Sequence, residues 1–529
     1  MHFRLDQHGP SPQSLLLAAP RLTNGTTPKR GVFLRSAVSL LTAAIFSTPA
    51  TAQPAGTQGG PPLVLQGARV FLDAPDTSDA VRMPRRDLLV EDGRITRIAA
   101  PGTLEATTHA EVLDVSGRFV LPGLVDSHAH VALGPIETHA DTTPPSVSMT
   151  PDLDVGPRSL RTLLAHGVTL ARDPGGPAER TVALRNAVAA QALLGPRLVV
   201  AGDVIDQAPF EGLTAQVTNE EEVRREVRRQ AALGVDLIKL YASLPPDLVR
   251  AGVDEAQRHG LPAVAHLMMT TWTEGADAGL QSILHVIPGS PRLLPEAQRG
   301  AFLRDLRSTV FMYTWFEFVD FESPEIQEMI DRLLRHRTWV DPTLVVFEIG
   351  AFGDDPARTT AYPHLGLADP DLVANWTESF RFDLGWSDED RRRAQAAWPR
   401  ALEFVRLLQA SGVRLTAGTD ANNPWTVPGP SLHRELELLV EAGLSELEVL
   451  RIATRNGAEA LGQLDETGTL TVGKRADLVV VREDPLQNIA AVQGIEWVLR
   501  DGHRWRPDEL LAPLRATPMA PAEPSPTRP

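Results

Sequence analysis

Short apolar runs alternate with amphipathic stretches through the central part of the chain. Seven runs of three to five residues predict strands at Val168–Arg172, Arg197–Val200, Leu237–Leu240, Ala263–His266, Ser282–His285, Thr338–Val340 and Val413–Thr416. The stretches between them, such as the one around Glu222, carry apolar residues at helical spacing. Strands that alternate with helices are typical of parallel α/β folds.

An eighth strand is predicted at Phe119–Val125, which leads into Asp126-Ser127-His128-Ala129-His130. Residues two apart on a strand point the same way, so His128 and His130 are predicted to share a face. Eight strand–helix units predict a closed (β/α)8 TIM-like barrel with its active site at the carboxyl ends of the strands. An open doubly wound sheet is the alternative, but its first strand would lack a Gly-rich phosphate-binding turn.

Strand-like runs at both ends of the chain predict a second, smaller domain. Residues 63–120 and 469–511 contain such runs, separated by turns such as Arg500-Asp501-Gly502. We expect both pieces to form one composite β-sandwich that the barrel, residues 121–468, interrupts. Residues 347–400 are long for a connection and rich in aromatics, which predicts a lid or wall over the active site. Two extra packing helices without substrate contact are the alternative.

Residues 1–52 are predicted to be a signal peptide with an N-terminal extension. Lys29, Arg30 and Arg35 precede an apolar stretch that is too short to span a bilayer, and Ala50-Thr51-Ala52 has the small-x-small pattern of a cleavage site. We therefore expect export to a bacterial periplasm without a stable membrane anchor; an amphipathic helix is the alternative. Residues 53–62 are predicted to be a linker and the Pro-rich residues 512–529 a disordered tail.

The composition of the 529-residue chain limits its possible partners and metal ligands. Its formal net charge of −16 argues against nucleic acid as a partner. Because cysteine is absent, a metal would have to be held by histidine, carboxylate or a modified lysine. A small molecule is the expected partner, and the sequence leaves homo-oligomer formation open.

Further ligand-type side chains fall within or at the ends of the predicted strands. His266 and His285 each close a strand, Asp420 follows the last one, and Lys239 interrupts an apolar run. A charged lysine that points into a barrel is costly unless it is neutralised or paired. Each residue has an ordinary structural alternative, such as a helix cap for the aspartate. Together with His128 and His130, however, they predict a metal site.

In these motifs the chain resembles the amidohydrolase superfamily, in its binuclear subgroup. The matching stretches, spread over Leu63–Trp505, are Pro122–His130, Ile238-Lys239, His266, Ser282–His285, Gly418–Asp420, Ala453–Ala458 and Gly468–Leu478. The resemblance implies one metal held by His128, His130 and Asp420 and a second held by His266 and His285. It also implies that Lys239 bridges the two metals as a carbamate. One departure is Leu284, where the superfamily commonly has Glu.

The resemblance thus implies two divalent metal ions, and imidazole and carboxylate ligands without thiolate suit zinc, with manganese or cobalt as alternatives. Two cations lower the pKa of a shared water, so a metal-bridged hydroxide would attack an amide-type carbon–nitrogen bond. Asp420 is expected to take the proton of that water and return it to the leaving amine.

Three residues are candidates for contact with the substrate. Tyr241 lies on the strand face of Lys239 and is expected to hydrogen-bond the oxyanion or a substrate carboxylate. Arg172 is a candidate for binding a substrate carboxylate, with a salt bridge at the barrel rim as the alternative. His433 and Glu435 are candidates to reach the pocket from the last loop, with a role at the start of a helix as the alternative.

The leading hypothesis is an exported hydrolase that cleaves Xaa-Pro-like dipeptides or N-acyl amino acids. A cyclic-amide hydrolase or deaminase, such as an imidazolonepropionase, is the alternative; Lys239 counts against most mononuclear relatives of that kind. A catalytically silent binding protein is a third hypothesis, which the presence of all six ligand candidates disfavours.

Overall fold

The computed structural model describes residues 60–73, 83–104, 110–139, 146–150, 155–306, 309–353, 362–378, 383 and 385–515. The predicted signal peptide, most of the linker and the end of the predicted tail lie outside these ranges, as do Phe380 and Phe382 of the 347–400 segment. None of the helices in the described ranges combines the length and the apolar composition that a membrane crossing needs.

Strands and helices follow one another along the described ranges. The strands are β1 (Leu63–Val70), β2 (Arg85–Glu91), β3 (Arg94–Ala99), β4 (Glu111–Asp114), β5 (Phe119–Pro122), β6 (Leu124–Asp126), β7 (Ile136–His139), β8 (Ser146–Met149), β9 (Val168–Asp173), β10 (Arg197–Val200), β11 (Val204–Asp206), β12 (Thr214–Gln216), β13 (Ile238–Leu240), β14 (Ala263–Ala265), β15 (Ser282–Leu284), β16 (Trp339–Asp341), β17 (Arg414–Leu415), β18 (Leu478–Val481), β19 (Ile495–Arg500) and β20 (His503–Trp505). The α-helices are α1 (Val155–Ala165), α2 (Ala178–Ala189), α3 (Glu220–Leu233), α4 (Pro246–Arg258), α5 (Trp272–Ala278), α6 (Glu296–Arg304), α7 (Phe311–Phe318), α8 (Pro324–His336), α9 (Leu344–Phe352), α10 (Pro370–Glu378), α11 (Asp388–Ala410), α12 (Pro430–Glu441), α13 (Glu446–Arg451), α14 (Gly457–Ala460) and α15 (Pro507–Arg515). Short 3-10 helices lie at Pro291–Leu293, Tyr362–Leu367 and Ile489–Gln493, and a π-helix at Ile452–Asn456.

Helix α3 shows how local sequence sets these boundaries. The Asn219 side chain accepts a hydrogen bond from the Glu222 amide, which caps the amino end of the helix. Gly234 ends the helix in the left-handed region, at a φ of 84°. Between them, Val223 and Val227 lie four residues apart and face the core.

Two parallel sheets form the central part of the chain. Their orders are β10-β9-β6 and β12-β11-β13-β14-β15-β16-β17, and the seven strands predicted from the apolar runs between residues 168 and 416 are all present with small shifts at their ends. Backbone hydrogen bonds link the sheets on both sides; among them, the Ser127 amide donates to the Ala417 carbonyl at 2.8 Å, and the Asp236 amide donates to the Val200 carbonyl at 2.8 Å. The central region is therefore an α/β fold built on parallel strands.

The apolar run predicted as one strand at Phe119–Val125 is divided between two sheets at Gly123. β5 pairs antiparallel with β18, whereas β6 pairs parallel with β9. An ideal Cβ on Gly123 would lie 2.0 Å from the Oγ1 atom of Thr169, so only glycine lets the chain pass at this point. The single-strand prediction was wrong because both halves are buried, and hydrophobicity alone does not mark the change of sheet.

Strands from the two ends of the chain lie side by side in one eight-stranded sheet. Its order is β20-β19-β18-β5-β1-β2-β3, with β4 beside β1. The apolar side chains of this sheet, among them Leu65, Leu88, Val120 and Leu478, form a core cluster separate from that of the parallel strands. This sheet adjoins the parallel strands at Gly123, since the Gly123 amide donates to the Asp477 carbonyl at 2.9 Å.

Residues 512–515 correct the predicted start of the disordered tail. They belong to α15, whose Leu510, Leu511 and Leu514 join the main apolar core. Arg158 also donates to the Leu514 carbonyl at 3.3 Å. The Pro-rich composition obscured this short apolar face.

Candidate metal centre

The six predicted ligands lie together at the carboxyl ends of the parallel strands. His128 and His130 follow β6, Lys239 is the middle residue of β13, His266 and His285 directly follow β14 and β15, and Asp420 follows β17. Five of them are buried and His266 is half-buried. Carboxyl ends of neighbouring parallel strands share one edge, which explains how residues so distant in sequence meet.

Asp420 lies against two imidazoles. Its Oδ1 atom is 3.2 Å from Nε2 of His128 and 3.2 Å from Nε2 of His130. The two Nε2 atoms are themselves 3.3 Å apart. His285 completes a group with His128 and Asp420 in which one ligand atom from each lies within 4.8 Å of the others.

His266, Lys239 and Tyr241 form the other side of the cluster. The ring centroids of His266 and His285 are 4.4 Å apart, and those of His266 and Tyr241 are 5.0 Å apart. Nζ of Lys239 lies 5.6 Å from the Tyr241 ring centroid. The structure thus brings Tyr241 to the six candidates, as the sequence predicts.

Hydrogen bonds at Nδ1 orient the rings of His130 and His285. His130 donates from Nδ1 to the Gly175 carbonyl at 2.8 Å, which holds its Nε2 3.2 Å from Oδ1 of Asp420. Nδ1 of His285 lies 2.8 Å from the Thr343 hydroxyl. Such outer hydrogen bonds are typical of histidines that bind metal.

The backbone is strained at three residues of this region. His285, Thr343 and Asp420 have φ values of 73°, 49° and 58°. Positive φ is unfavourable for a residue with a Cβ, above all for β-branched threonine. Strain of this kind persists where the surroundings hold it, and it is concentrated at functional sites.

Burial sets the charge states of the cluster. It lowers the pKa of His128 and of His266 to about 3, so both imidazoles are neutral at pH 7. It also lowers the pKa of Lys239 to about 7, against the attraction of Asp420. Burial alone would raise the pKa of Asp420, but the neighbouring imidazoles, led by His128, outweigh it and lower that pKa well below its ordinary value.

These residues fit a metal centre. Imidazole nitrogens converge on an ionised carboxylate, and the Nδ1 atoms of His128 and His266 are buried without a hydrogen-bond partner among the described residues. Lys239 is only 1% exposed, and the nearby carboxylates of Asp420 and Asp341 attract its amine. Divalent cations held by nitrogen and oxygen ligands account for this donor set.

Arg172 does not lie where the predicted substrate role would place it. Its side chain is 2% exposed, its Nε donates to the Ser127 carbonyl at 2.6 Å, and its Nη2 lies 3.2 Å from Oδ2 of Asp341. The salt-bridge alternative is therefore correct, although the pair is buried between strands rather than at a rim. The alternating strand pattern placed the residue at a strand end without revealing this partner.

His433 and Glu435 also lie apart from the six candidates. Both belong to α12; His433 donates from Nε2 to the His166 carbonyl at 2.9 Å, and Glu435 accepts from the Val345 amide at 2.7 Å. They fasten α12 to its neighbours, in keeping with the helix alternative and not with contact to the substrate. The sequence placed them in the last loop, but α12 begins earlier, at Pro430.

Leu284, the departure from the superfamily pattern, packs among apolar residues. It belongs to a cluster with Ala201, Leu237 and Val264. The hydrogen-bond partner of its neighbour His285 is supplied instead by Thr343.

Asp341 and Thr343 are site residues that the sequence pattern did not identify. Asp341 ends β16, and its Oδ2 is 3.9 Å from Nδ1 of His128. A usable signal was present, because Asp341 directly follows the apolar Trp339-Val340 pair at the carboxyl end of a predicted strand. The prediction ended that strand one residue early, at Val340.

The fold and the site define a class, that of metal-dependent enzymes built on parallel strands. Residues 119–336 and 396–503 match the Amidohydrolase family. The chain therefore belongs to the amidohydrolase family, and it is a hydrolase acting on carbon–nitrogen bonds.

Relatives of known name differ in substrate. The chain is 27% identical over 441 residues to a 5-methylthioadenosine/S-adenosylhomocysteine deaminase of Desulforudis audaxviator (strain MP104C), an alignment that covers 79% of this chain and 88% of the deaminase. Among solved structures, a Xaa-Pro dipeptidase with bound methionine has a TM-score of 0.59 at 18% identity, covering 84% of this chain and 99% of the dipeptidase. A prolidase complexed with N-methylphosphonate-L-proline has a TM-score of 0.60 at 21% identity, with 84% and 99% coverage. At these identities the structural likeness establishes the shared fold alone.

Proposed function

We propose that the chain is a binuclear metal hydrolase that cleaves the amide bond of a dipeptide, of Xaa-Pro type, or of an N-acyl amino acid. The observation that carries this proposal is the convergence of four imidazoles, Asp420 and the buried Lys239 at one edge of the parallel strands. The deaminase relative and the dipeptidase and prolidase folds support hydrolysis of a carbon–nitrogen bond, and the prolidase-like folds favour a peptide-type substrate.

We further propose that the parallel strands close into a (β/α)8 barrel and that the two chain ends form one composite domain. The hydrogen bond from Ser127 to Ala417 supports closure, because it joins the end of β6 to the segment after β17. The eight-stranded sheet built from both chain ends supports the composite domain.

The proposed cofactors are two divalent metal ions, with zinc favoured by the ligands, and a carbamate on Lys239. The carbamate forms when the neutral amine of Lys239 attacks carbon dioxide and releases a proton. The product is an anion, so the buried position that is costly for an ammonium group becomes suitable for a ligand shared by two cations. The burial of Lys239, which lowers the pKa of its amine to about 7 and so favours the neutral form, supports this modification.

The side chains of the cluster have different roles in the proposed hydrolysis. When bound, the metal pair supplies a deprotonated water at neutral pH and polarises the scissile carbonyl. Asp420 holds the attacking water, takes its proton and delivers it to the leaving nitrogen. Burial raises the pKa of Tyr241 above its ordinary value, so its hydroxyl keeps the proton that it donates to the oxyanion or to a substrate carboxylate.

An aromatic series beside the cluster supports a substrate with an apolar side chain. The Phe347 ring centroid lies 5.8 Å from that of His285, Tyr313 packs 6.2 Å from Phe347, and Trp386 packs 5.5 Å from Tyr313. The Tyr313 hydroxyl donates to the Phe347 carbonyl at 2.9 Å and holds this wall in place. Within the 347–400 segment we therefore assign the wall to Phe347 and Trp386.

Other aromatic residues of the segment have packing roles in this proposal. Trp376 is buried in a separate cluster with Val155 and Val427, and its ring lies 6.4 Å from that of Trp425. Trp398 packs on Phe352 with ring centroids 6.4 Å apart.

The second candidate function is a cyclic-amide hydrolase or deaminase, which the deaminase relative favours. Metal quantitation followed by a hydrolysis screen separates the two. About two metals per chain and turnover of dipeptides or N-acyl amino acids are expected. Turnover confined to lactams or aminated bases would favour the alternative, and metal binding without any turnover would favour a silent binding protein.

We also propose export to a bacterial periplasm, with cleavage after Ala52. Cell fractionation combined with amino-terminal sequencing of the mature protein tests this. A mature chain that begins at Gln53 in the periplasmic fraction is expected, and an uncleaved cytoplasmic chain would contradict it.

A further inference from the structure

Asp341 is a buried carboxylate that the proposed reaction does not use. It is fully buried at the end of β16. Its Oδ2 lies 3.2 Å from Nη2 of Arg172 and 3.9 Å from Nδ1 of His128. Its Oδ1 has no hydrogen-bond partner among the described residues. A buried carboxylate with spare acceptor capacity therefore faces a ring of the metal centre.

Arg172 binds both Asp341 and the backbone beside His128. Its Nε donates to the carbonyl of Ser127, the residue directly before His128, at 2.6 Å. Its Nη2 pairs with Asp341. The planar guanidinium offers several donors in a fixed geometry, so one side chain fixes the carboxylate and the backbone from which His128 projects.

Gly418 leaves the space that this contact requires. An ideal Cβ at this position would lie 2.6 Å from both carboxylate oxygens of Asp341 and 2.6 Å from Cβ of His128. Any larger residue would push Asp341 and His128 apart. The absence of a side chain at Gly418 thus allows Asp341 of β16 to lie close to His128.

The ring nitrogens of His128 have different surroundings. Nε2 faces the metal centre, 3.2 Å from Asp420, whereas Nδ1 is buried and has no hydrogen-bond partner among the described residues. A neutral imidazole carries its proton on one nitrogen only, so a metal bound at Nε2 requires the proton on Nδ1. An Nδ1–H group in the interior needs an acceptor.

We propose that Asp341, held by Arg172, is a positioning residue of the metal centre that accepts the Nδ1–H of His128 and so keeps Nε2 unprotonated and aimed at the cation. The inference rests on the proposed metal site and adds the pair that orients one of its ligands. Nδ1 of His128 and Oδ2 of Asp341 are 3.9 Å apart, which exceeds hydrogen-bond length. The hydrogen bond therefore requires these two atoms to approach when the metals bind.

Zinc affinity of the full chain tests the proposal, measured by competition with a chromophoric chelator after metal removal. Asp341→Asn removes the charge with little change of volume and is expected to weaken one of the two sites by about 10- to 100-fold. The matched control is Asp73→Asn, because the Asp73 side chain is 2% exposed and pairs with Arg451 at 2.8 Å away from the cluster. Both variants remove a buried carboxylate charge from an ion pair with arginine, but only the first is expected to change zinc affinity.

The outcomes separate this inference from the proposed function. A folded Asp341→Asn variant with wild-type zinc affinity, or an equal loss in Asp73→Asn, overturns the inference. If Asp341→Asn does not fold, Arg172→Lys carries the test, since it keeps a cation near Asp341 but loses the bond to Ser127. Weaker zinc binding at one site is then expected, and wild-type affinity overturns the inference. A wild-type chain that binds no zinc would instead defeat the proposed function itself.

Discussion

Two groups of histidines in this chain differ in their surroundings. The strand-end cluster consists of His128, His130, His266 and His285 with Lys239 and Asp420; the helix-side cluster consists of His166, His364 and His433. In the helix-side cluster the ring centroids of His166 lie 6.2 Å from His364 and 5.7 Å from His433. The strand-end rings are closer and converge on a carboxylate.

The difference lies in where the ring nitrogens find partners. His166 bonds from Nδ1 to the Thr162 carbonyl at 2.8 Å, and His433 bonds from Nε2 to the His166 carbonyl at 2.9 Å. In the strand-end cluster, the buried Nδ1 atoms of His128 and His266 lack partners among the described residues. The Nε2 atoms of His128 and His130 lie 3.2 Å from Asp420. The rings of His166 and His433 bond to nearby backbone carbonyls, whereas several ring nitrogens of the strand-end cluster are directed at Asp420 or lack a described partner, as a metal site requires.

Loss of the proposed bridging lysine is expected to have the largest effect on the strand-end cluster. Lys239→Ala is expected to lose both metals and all measurable activity, because neither cation keeps a shared anionic ligand. Metal analysis and hydrolysis assays check this, and short carboxylic acids are expected to restore part of both. Full metal content in Lys239→Ala would show that the strand-end cluster does not depend on its lysine.

Asp420→Asn tests the proton transfer within the same cluster. We expect kcat to fall by about 10²- to 10⁴-fold, the usual contribution of a positioned acid–base group. Steady-state kinetics of the metal-loaded variant provide the measurement. The control in the helix-side cluster, His433→Gln, is expected to leave metal content and kcat unchanged. An equal loss of kcat in both variants would show that the two clusters do not differ in their role in catalysis.

Phe347→Ala tests the wall that adjoins the strand-end cluster. Loss of the ring beside His285 is expected to lower kcat/KM for substrates with large apolar side chains by about 10-fold or more relative to small ones. The control is Trp398→Phe, which alters buried aromatic packing against Phe352 instead. Unchanged preference in Phe347→Ala would show that no apolar wall contacts the substrate at this position.

The helix-side cluster is expected to affect stability rather than chemistry. Burial lowers the pKa of His433 to about 4 and that of His166 to about 3, against an ordinary value of 6.5; His364 and Arg515 also face His166. Between pH 6.5 and 4 the unfolded chain takes up protons that the folded chain does not, so the free energy of unfolding falls as the pH falls.

His433→Gln keeps an N–H donor but does not titrate. Its free energy of unfolding is expected to fall by about 2 kcal/mol less than that of the wild type between pH 7 and 4.5. Denaturant titrations at both pH values give the comparison. Parallel losses in the two proteins would mean that His433 is protonated in the fold.

Much of the fold and the position of the six ligand candidates at the strand ends could be predicted from the sequence. Strands such as Ile238–Leu240 are short apolar runs bounded by polar residues, and a lysine or histidine inside such a run is conspicuous. Periodicity therefore located the strand-end cluster one residue at a time. Its members were recognisable as a set because parallel strands present their carboxyl ends at one edge.

What could not be predicted depends on contacts between distant segments. The change of sheet at Gly123 follows from its contact with Thr169, and the partner of Arg172 is a carboxylate on β16. Phe347 acquires its place beside His285 only through the packing of α9. None of these contacts leaves a periodic trace in the local sequence.

The most direct test of the binuclear centre is a crystal structure of the metal-loaded protein with anomalous scattering measured at the zinc edge. We expect two peaks at the strand-end cluster, bridged by a carbamate on Lys239, and no peak at the helix-side cluster. A single peak beside an unmodified Lys239, or zinc bound at His166 and His433, would contradict the proposed centre.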